Sequence, residues 1–231
     1  MHHYLIPLQN YLEQNANPAK AAEMKKYLKN LFEFYGISSS QRKDFYSDYL
    51  KKFGKAEEID LQYIIKELWA QPQREYQYFA MELLRKFNKH MTSERLELFE
   101  FIIVNKAWWD TVDFIASNLV GAIFLKFPEL KEQNCQKWML SGNIWLQRTV
   151  LLFQLKYRLK TDTELLSNAI NDLAASKEFF IRKAIGWSLR EYSKINPDYV
   201  GEFVNLNNNK LSNLSIREAL KVINKKRDEG F

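Results

Sequence analysis

One cysteine, Cys135, and three histidines, His2, His3 and His90, are all that the 231-residue chain offers toward thiol, disulfide or zinc chemistry. A disulfide framework needs pairs of cysteines, and one cysteine with three scattered histidines assembles no zinc constellation, so neither thiol nor metal chemistry is expected. With no histidine near it in sequence, Cys135 reads as a packing residue, and the same scarcity argues against Ser-His-Asp hydrolysis. Long apolar runs are missing too; none approaches the roughly 18 residues of a membrane span. The opening MHHYLIPLQNYLEQ lacks the charged-then-apolar layout of a secretory leader, so a cytoplasmic protein is expected. Glycine and proline are scarce, at 7 and 5 residues, leaving few positions that interrupt regular structure.

What is present is 46% hydrophobic and 27% charged residues, enough to build a folded core. The net charge of +6 favours a polyanionic partner. Its distribution is uneven: Gly142 to Lys160 holds Arg148, Lys156, Arg158 and Lys160 with no acid, whereas SERLELFEF at 93–101 is acidic. A one-sided basic surface is expected.

Between the breaks, apolar residues recur at i, i+3 and i+4, which predicts an all-helical protein. Asn17-Pro18 should start a helix ending near Gly36, Ser38 to Ser40 should cap the next, and Gly54 should close it. Pro72, Pro128 and Pro197 mark further boundaries. Short joins between helices of about 12 to 18 residues suggest antiparallel pairs.

Those pairs repeat. WLQRTVLLF from Trp145, FIRKAIGWS from Phe180 and SIREALKVI from Ser215 share one pattern, and Leu146, Ile181 and Ile216 are spaced 35 apart. Stepping back along the chain reaches Val112 in TVDFIAS and Tyr76 in YQYFAMELL. This periodicity predicts a curved superhelical solenoid of HEAT-like helix pairs, one domain over 1–231 with an N-terminal element about 1–55 and repeats about 56–227. The residue after each aliphatic anchor forms a column of Gln77, Asp113, Gln147, Arg182 and Arg217, followed at the next position by Arg148 and Lys183. If the column lines a concave face, that face is polar and basic with one carboxylate set into it.

Asp113 lies in KAWWDTVDF, residues 106–114. The spacing of Asp110 and Asp113 matches a capping box, with Asp110 as N-cap and Asp113 as N3. The repeat register argues otherwise, because a helix-start signal should recur and this acid does not. Trp109, four residues before Asp113, shares its helix face, while Trp108 points elsewhere, into the core. Trp187 lies among cations, four residues after Lys183 and three before Arg190. Trp69, Trp138 and Trp145 are assigned to packing. One carboxylate, aromatic faces and a basic groove suit cleavage of a glycosidic bond through an oxocarbenium-like transition state. A general acid is dispensable when the departing base is already cationic, as in an N3- or N7-alkylated purine.

KAWWDTVDFIASNLVGAIFLKFPEL, SGNIWLQRTVLLFQLKY and SKEFFIRKAIGWSLREYSKINPD closely resemble the bacterial AlkD-type alkylpurine DNA glycosylases, from Met1 to about residue 225. The resemblance implies a C-shaped stack of HEAT-like pairs that removes cationic N3- and N7-alkylpurines from double-stranded DNA without flipping the base into a pocket. It also implies Asp113 as the catalytic carboxylate, Trp109 and Trp187 as sugar-facing aromatics and Arg148 as the basic partner in the cleft. Tyr27 in KKYLKN matches a DNA-contacting position. GISSSQRKDF departs from the family, which typically has Thr-Pro after the glycine, although Ser39 and Ser40 remain candidates for capping and phosphate contact.

Catalysis is thus expected from Asp113, Trp109 and Trp187, and DNA contacts from Arg148, Tyr27, Ser39, Gln147, Arg182, Lys183 and Arg190. No metal, cofactor or membrane is expected, and nothing demands more than a monomer. The rival expectation is a non-catalytic scaffold of the same fold that binds damaged DNA or another polyanion.

Overall fold

The computed structural model describes residues 1–228, and these form helices and no strand. An isolated parallel bridge joins Glu33 and Gln73. Two compact units divide the chain, Met1–His90 and Met91–Phe231. No single helix among the described residues is long and apolar enough to cross a membrane.

The first unit contains α1 (Ile6–Gln14), α2 (Pro18–Tyr27), α3 (Ser39–Phe53), α4 (Leu61–Ala70) and α5 (Arg74–Lys86). Asn17 caps α2 through its side chain, as Asn17-Pro18 predicted, but α2 stops at Tyr27 well before Gly36. The chain breaks there because Lys29 and Asn30 both adopt φ of 60°, outside the helical region. At α3 the cap is Ser38 alone: its Oγ accepts from the Gln41 backbone N–H while the Gln41 side chain accepts from the Ser38 backbone N–H. Ser39 and Ser40 lie one step inside the helix, exposed. Gly54 ends α3 at φ 73°, a value few other residues tolerate.

The second unit contains α6 (Arg95–Val104), α7 (Trp109–Phe114), α8 (Gly121–Lys126), α9 (Lys131–Leu140), α10 (Ile144–Leu152), α11 (Thr163–Leu173), α12 (Phe179–Tyr192), α13 (Pro197–Leu206) and α14 (Asn213–Asp228). A π-helical segment, Ile115–Val120, makes α7 and α8 one continuous rod. Where the ladder shifts, the carbonyls of Asp113 and Phe114 accept from Ser117 Oγ at 2.8 Å and Asn118 Nδ2 at 2.9 Å. α9 with α10, and α13 with α14, pack as neighbouring pairs, and α12 packs against both α10 and α14. The core is aliphatic and aromatic, with Val112, Ile115, Phe153, Ile181 and Ala219 buried. Trp69 and Trp138 are buried as expected.

The contact between α12 and α14 depends on Gly186. A Cβ there would lie 2.5 Å from Glu218 Cβ and 2.8 Å from the Ser215 carbonyl oxygen, closer than real atoms approach. Gly186→Ala should therefore push the two helices apart and destabilise the protein by ~1–3 kcal/mol. Denaturant unfolding measures this, and an unchanged midpoint and slope would mean that the contact yields freely.

Candidate functional site

α7 begins at Trp109, with Trp108 as the N-cap residue and no side-chain cap bond. The capping-box reading is therefore displaced: Asp110 lies inside the first turn, and Asp113 comes too late to serve it. Asp113 instead turns toward α10. Arg148 Nε donates to Asp113 Oδ1 at 2.7 Å and Nη2 donates to Oδ2 at 2.8 Å, a fork-on-fork pair. Arg148 is 3% exposed and Asp113 14%, so water screens the pair little. Arg148 Nη1 donates to the Phe180 carbonyl oxygen at the start of α12. One guanidinium thus ties α7, α10 and α12 together.

Burial pushes the Asp113 carboxyl above its ordinary value, against the pull of Arg148's hydrogen bonds and charge and with a further push from Asp110. The guanidinium carbon stands 5.9 Å from the centre of the Phe180 ring. Phe180 belongs to an aromatic trio in which Trp108 lies 5.5 Å from Trp145 and 4.9 Å from Phe180, and Trp145 lies 5.0 Å from Phe180. Trp108 is therefore half-buried against two half-buried rings and not, as expected, in the core, although its Nε1–H is buried without a hydrogen-bond acceptor. Trp109 is half-buried one turn before Asp113, and Trp187 is half-buried two turns after Phe180 on α12.

Other members of the expected column serve the fold. Gln77 is fully buried, and its Nε2 donates to the carbonyls of Leu68 at 2.9 Å and Gln71 at 3.0 Å. Gln147 Nε2 donates to the Met139 carbonyl at 3.0 Å, and Arg182 Nε to that of Ser176 at 2.8 Å. Gln77 and Gln147 close the ends of the preceding helices, where the last carbonyls lack intrahelical partners, and Arg182 holds a carbonyl of the loop between α11 and α12. Gln77 cannot line a surface at all. Asp113 breaks the column because a carboxylate has no proton to donate to a carbonyl.

Lys183 and Arg190 are also engaged. Glu218 on α14 accepts from Lys183 Nζ at 2.6 Å and from Arg190 Nη1 at 2.8 Å. Glu218 and Phe180 were not among the residues that the sequence singled out, nor was Trp108 as part of the site, although one signal was available: Asp113 to Arg148 and Lys183 to Glu218 each span 35 residues, one repeat. Tyr27 ends α2 and is 70% exposed, in the other unit from Asp113. Cys135 is buried, which pushes its thiol up to about 12 and keeps it protonated. No group of three or more His, Cys, Asp or Glu among the described residues is arranged to hold a metal ion.

The family model described as DNA alkylation repair enzyme matches residues 8–223. A solved structure described as a predicted DNA alkylation repair enzyme from Enterococcus faecalis is similar at 34% identity, covering 90% of this chain and 96% of that one, with a TM-score of 0.82. No curated protein matches. The all-helical fold, the match over nearly the whole sequence and the structural likeness agree, and the chain belongs to the DNA alkylation repair enzyme family.

Proposed function

We propose that the protein is a monofunctional glycosylase that hydrolyses the N-glycosidic bond of cationic N3- and N7-alkylpurines in duplex DNA. The observation that carries this reading is the Asp113–Arg148 pair: a carboxylate held rigid by a bidentate guanidinium, shielded from water, with Trp109 one turn away on the same helix. When the glycosidic bond breaks, positive charge grows on the sugar. A fixed carboxylate in a poorly screened site stabilises that charge without having to reorganise. Its remaining lone pairs also suit it to orient the attacking water.

The base leaves neutral because it was cationic before cleavage, so no general acid is needed. Aromatic faces add cation–π attraction to the developing oxocarbenium, the role assigned to Trp109 and Trp187. An amine nucleophile is not singled out, since the cation paired with Asp113 is an arginine. That supports hydrolysis over a Schiff-base lyase route.

The test is release of free base from a duplex carrying a single N7-methylguanine, followed under single-turnover conditions, with an N3-methyladenine duplex alongside. Release of intact base with an abasic, unbroken strand is the expected result. A protein that binds both duplexes in a salt-sensitive way yet releases neither base would be a binding scaffold, and the Asp113–Arg148 pair a structural tie.

A further inference from the structure

Glu218 stands where a carboxylate is least expected. On α12, Lys183, Trp187 and Arg190 follow one another at i, i+4 and i+7 and so share one face. Glu218 crosses from α14 to hold both cations, one on each carboxylate oxygen. The crossing is possible because Gly186 brings α14 against α12 at Glu218 itself. Around it lie further cations: Arg217 and Lys221 share a shallow depression of α14 with Glu218. The hydrogen bond from Lys183, with the charges of Lys183, Arg190 and Lys221, holds the Glu218 carboxyl below the ordinary value, so it is ionised at neutral pH. Glu218 is 13% exposed, whereas Lys183 is 38% and Arg190 24% exposed. The cations are thus the accessible members of the cluster and the acid the sheltered one.

Two hydrogen-bond acceptors on one anion, set between a lysine and an arginine, reproduce what a phosphodiester offers. We propose that Glu218 takes the place of a DNA phosphate in the free protein: it holds Lys183 and Arg190 around Trp187 and yields them in competition when duplex binds. This rests on the reading of α12 as a DNA-facing helix. The consequence is quantitative. A cation that leaves a carboxylate for a phosphate releases a counterion from DNA but exposes an anion that recruits one, so the net release, and with it the salt dependence, is blunted. Glu218 would thereby weaken the protein's hold on the duplex and favour its departure from product.

The experiment is duplex affinity by fluorescence anisotropy across a salt series, with an undamaged duplex and one carrying N7-methylguanine. Glu218→Gln keeps the size and one acceptor while removing the charge. It should bind roughly 3- to 10-fold tighter at low salt, with a log–log slope steeper by about 0.9 for each additional phosphate neutralised. The Lys183→Met/Glu218→Gln double variant should lose about one phosphate's worth of that steepening. Glu218→Asp, whose shorter arm cannot span both cations, should shift in the same direction by less and serves if Glu218→Gln does not fold. A slope that is unchanged or shallower in the folded single variant would overturn the proposal, as would a fall in the unfolding midpoint with the slope unmoved. Steepening that persists undiminished in the double variant would overturn it too. Wild-type binding with an unresponsive variant refutes this inference alone, whereas a wild type that binds no duplex refutes the DNA reading as well.

Discussion

Asp113→Asn is expected to reduce base release from N7-methylguanine duplex by at least ~10²-fold while leaving duplex affinity within a few-fold of wild type. The substitution keeps the side chain's shape and one acceptor oxygen for Arg148, but removes the negative charge that a cationic sugar would face. Charge that develops only in the transition state is stabilised only there, so the loss should fall on the rate constant and not on binding. Arg148 is left buried without its counterion, and some loss of stability will accompany the change. Circular dichroism and a denaturant titration separate that from chemistry: a variant folded under assay conditions yet inactive places the defect in the reaction. Release within about threefold of the wild type would remove Asp113 from the mechanism and leave the pair as a helix tie.

The second large effect is predicted for Arg148→Met. Methionine replaces the aliphatic stem but deletes both bonds to Asp113 and the bond to the Phe180 carbonyl, so a buried carboxylate is stranded. Breaking a buried pair by removing one partner costs ~3–5 kcal/mol, measurable at neutral pH by chemical unfolding. The pH behaviour follows from the forces on Asp113. Burial already raises its carboxyl, and Arg148 is what pulls it back. Without Arg148 the folded value rises further, so the ionised, active form exists only above a higher pH. The acid limb of the rate profile should therefore move to higher pH in the variant, while the wild type's limb should already lie above that of an ordinary aspartate, near pH ~3.9. Stability should show the complementary trend. A group whose folded value is raised favours folding below its unfolded value and loses that contribution as pH rises, so the variant's deficit should shrink in acid, where Asp113 is protonated. A deficit independent of pH, with an unmoved acid limb, would show that the two side chains are not coupled in this way.

Several features of the molecule are written in short stretches of chain. The helices follow from apolar spacing, and their ends follow from residues that act locally: Ser38 with Gln41, Gly54 at positive φ, and Asn196 capping ahead of Pro197. Each signal works over a few residues and needs no knowledge of the rest. Where local signals misled, at the end of α2 and the start of α7, no residue of the usual kind marked the boundary. Lys29 and Asn30 take left-handed backbone without a glycine to announce it, and Trp108 closes the α7 terminus without a capping side chain. The resemblance in the WWDTVD and IGWSLRE stretches likewise points to Asp113, Trp109 and Trp187 without reference to how the helices pack.

Tertiary structure alone decided what each polar side chain does. In one column, Gln77 and Gln147 close helix ends and Arg182 holds a loop carbonyl, while Asp113 reaches a guanidinium on another helix. Sequence spacing describes neighbours within a helix, at i+3 and i+4, but the partner of a buried charge is whichever group the packing of separate helices brings within about 3 Å. Gly186 shows how such a partner is chosen: by admitting α14 to close contact, it delivers Glu218 to two cations that the sequence presents as free. Helix content is a sum of local preferences, and so the sequence determined it; ionic partnership depends on distance and on the exclusion of water, and these exist only once the helices have packed.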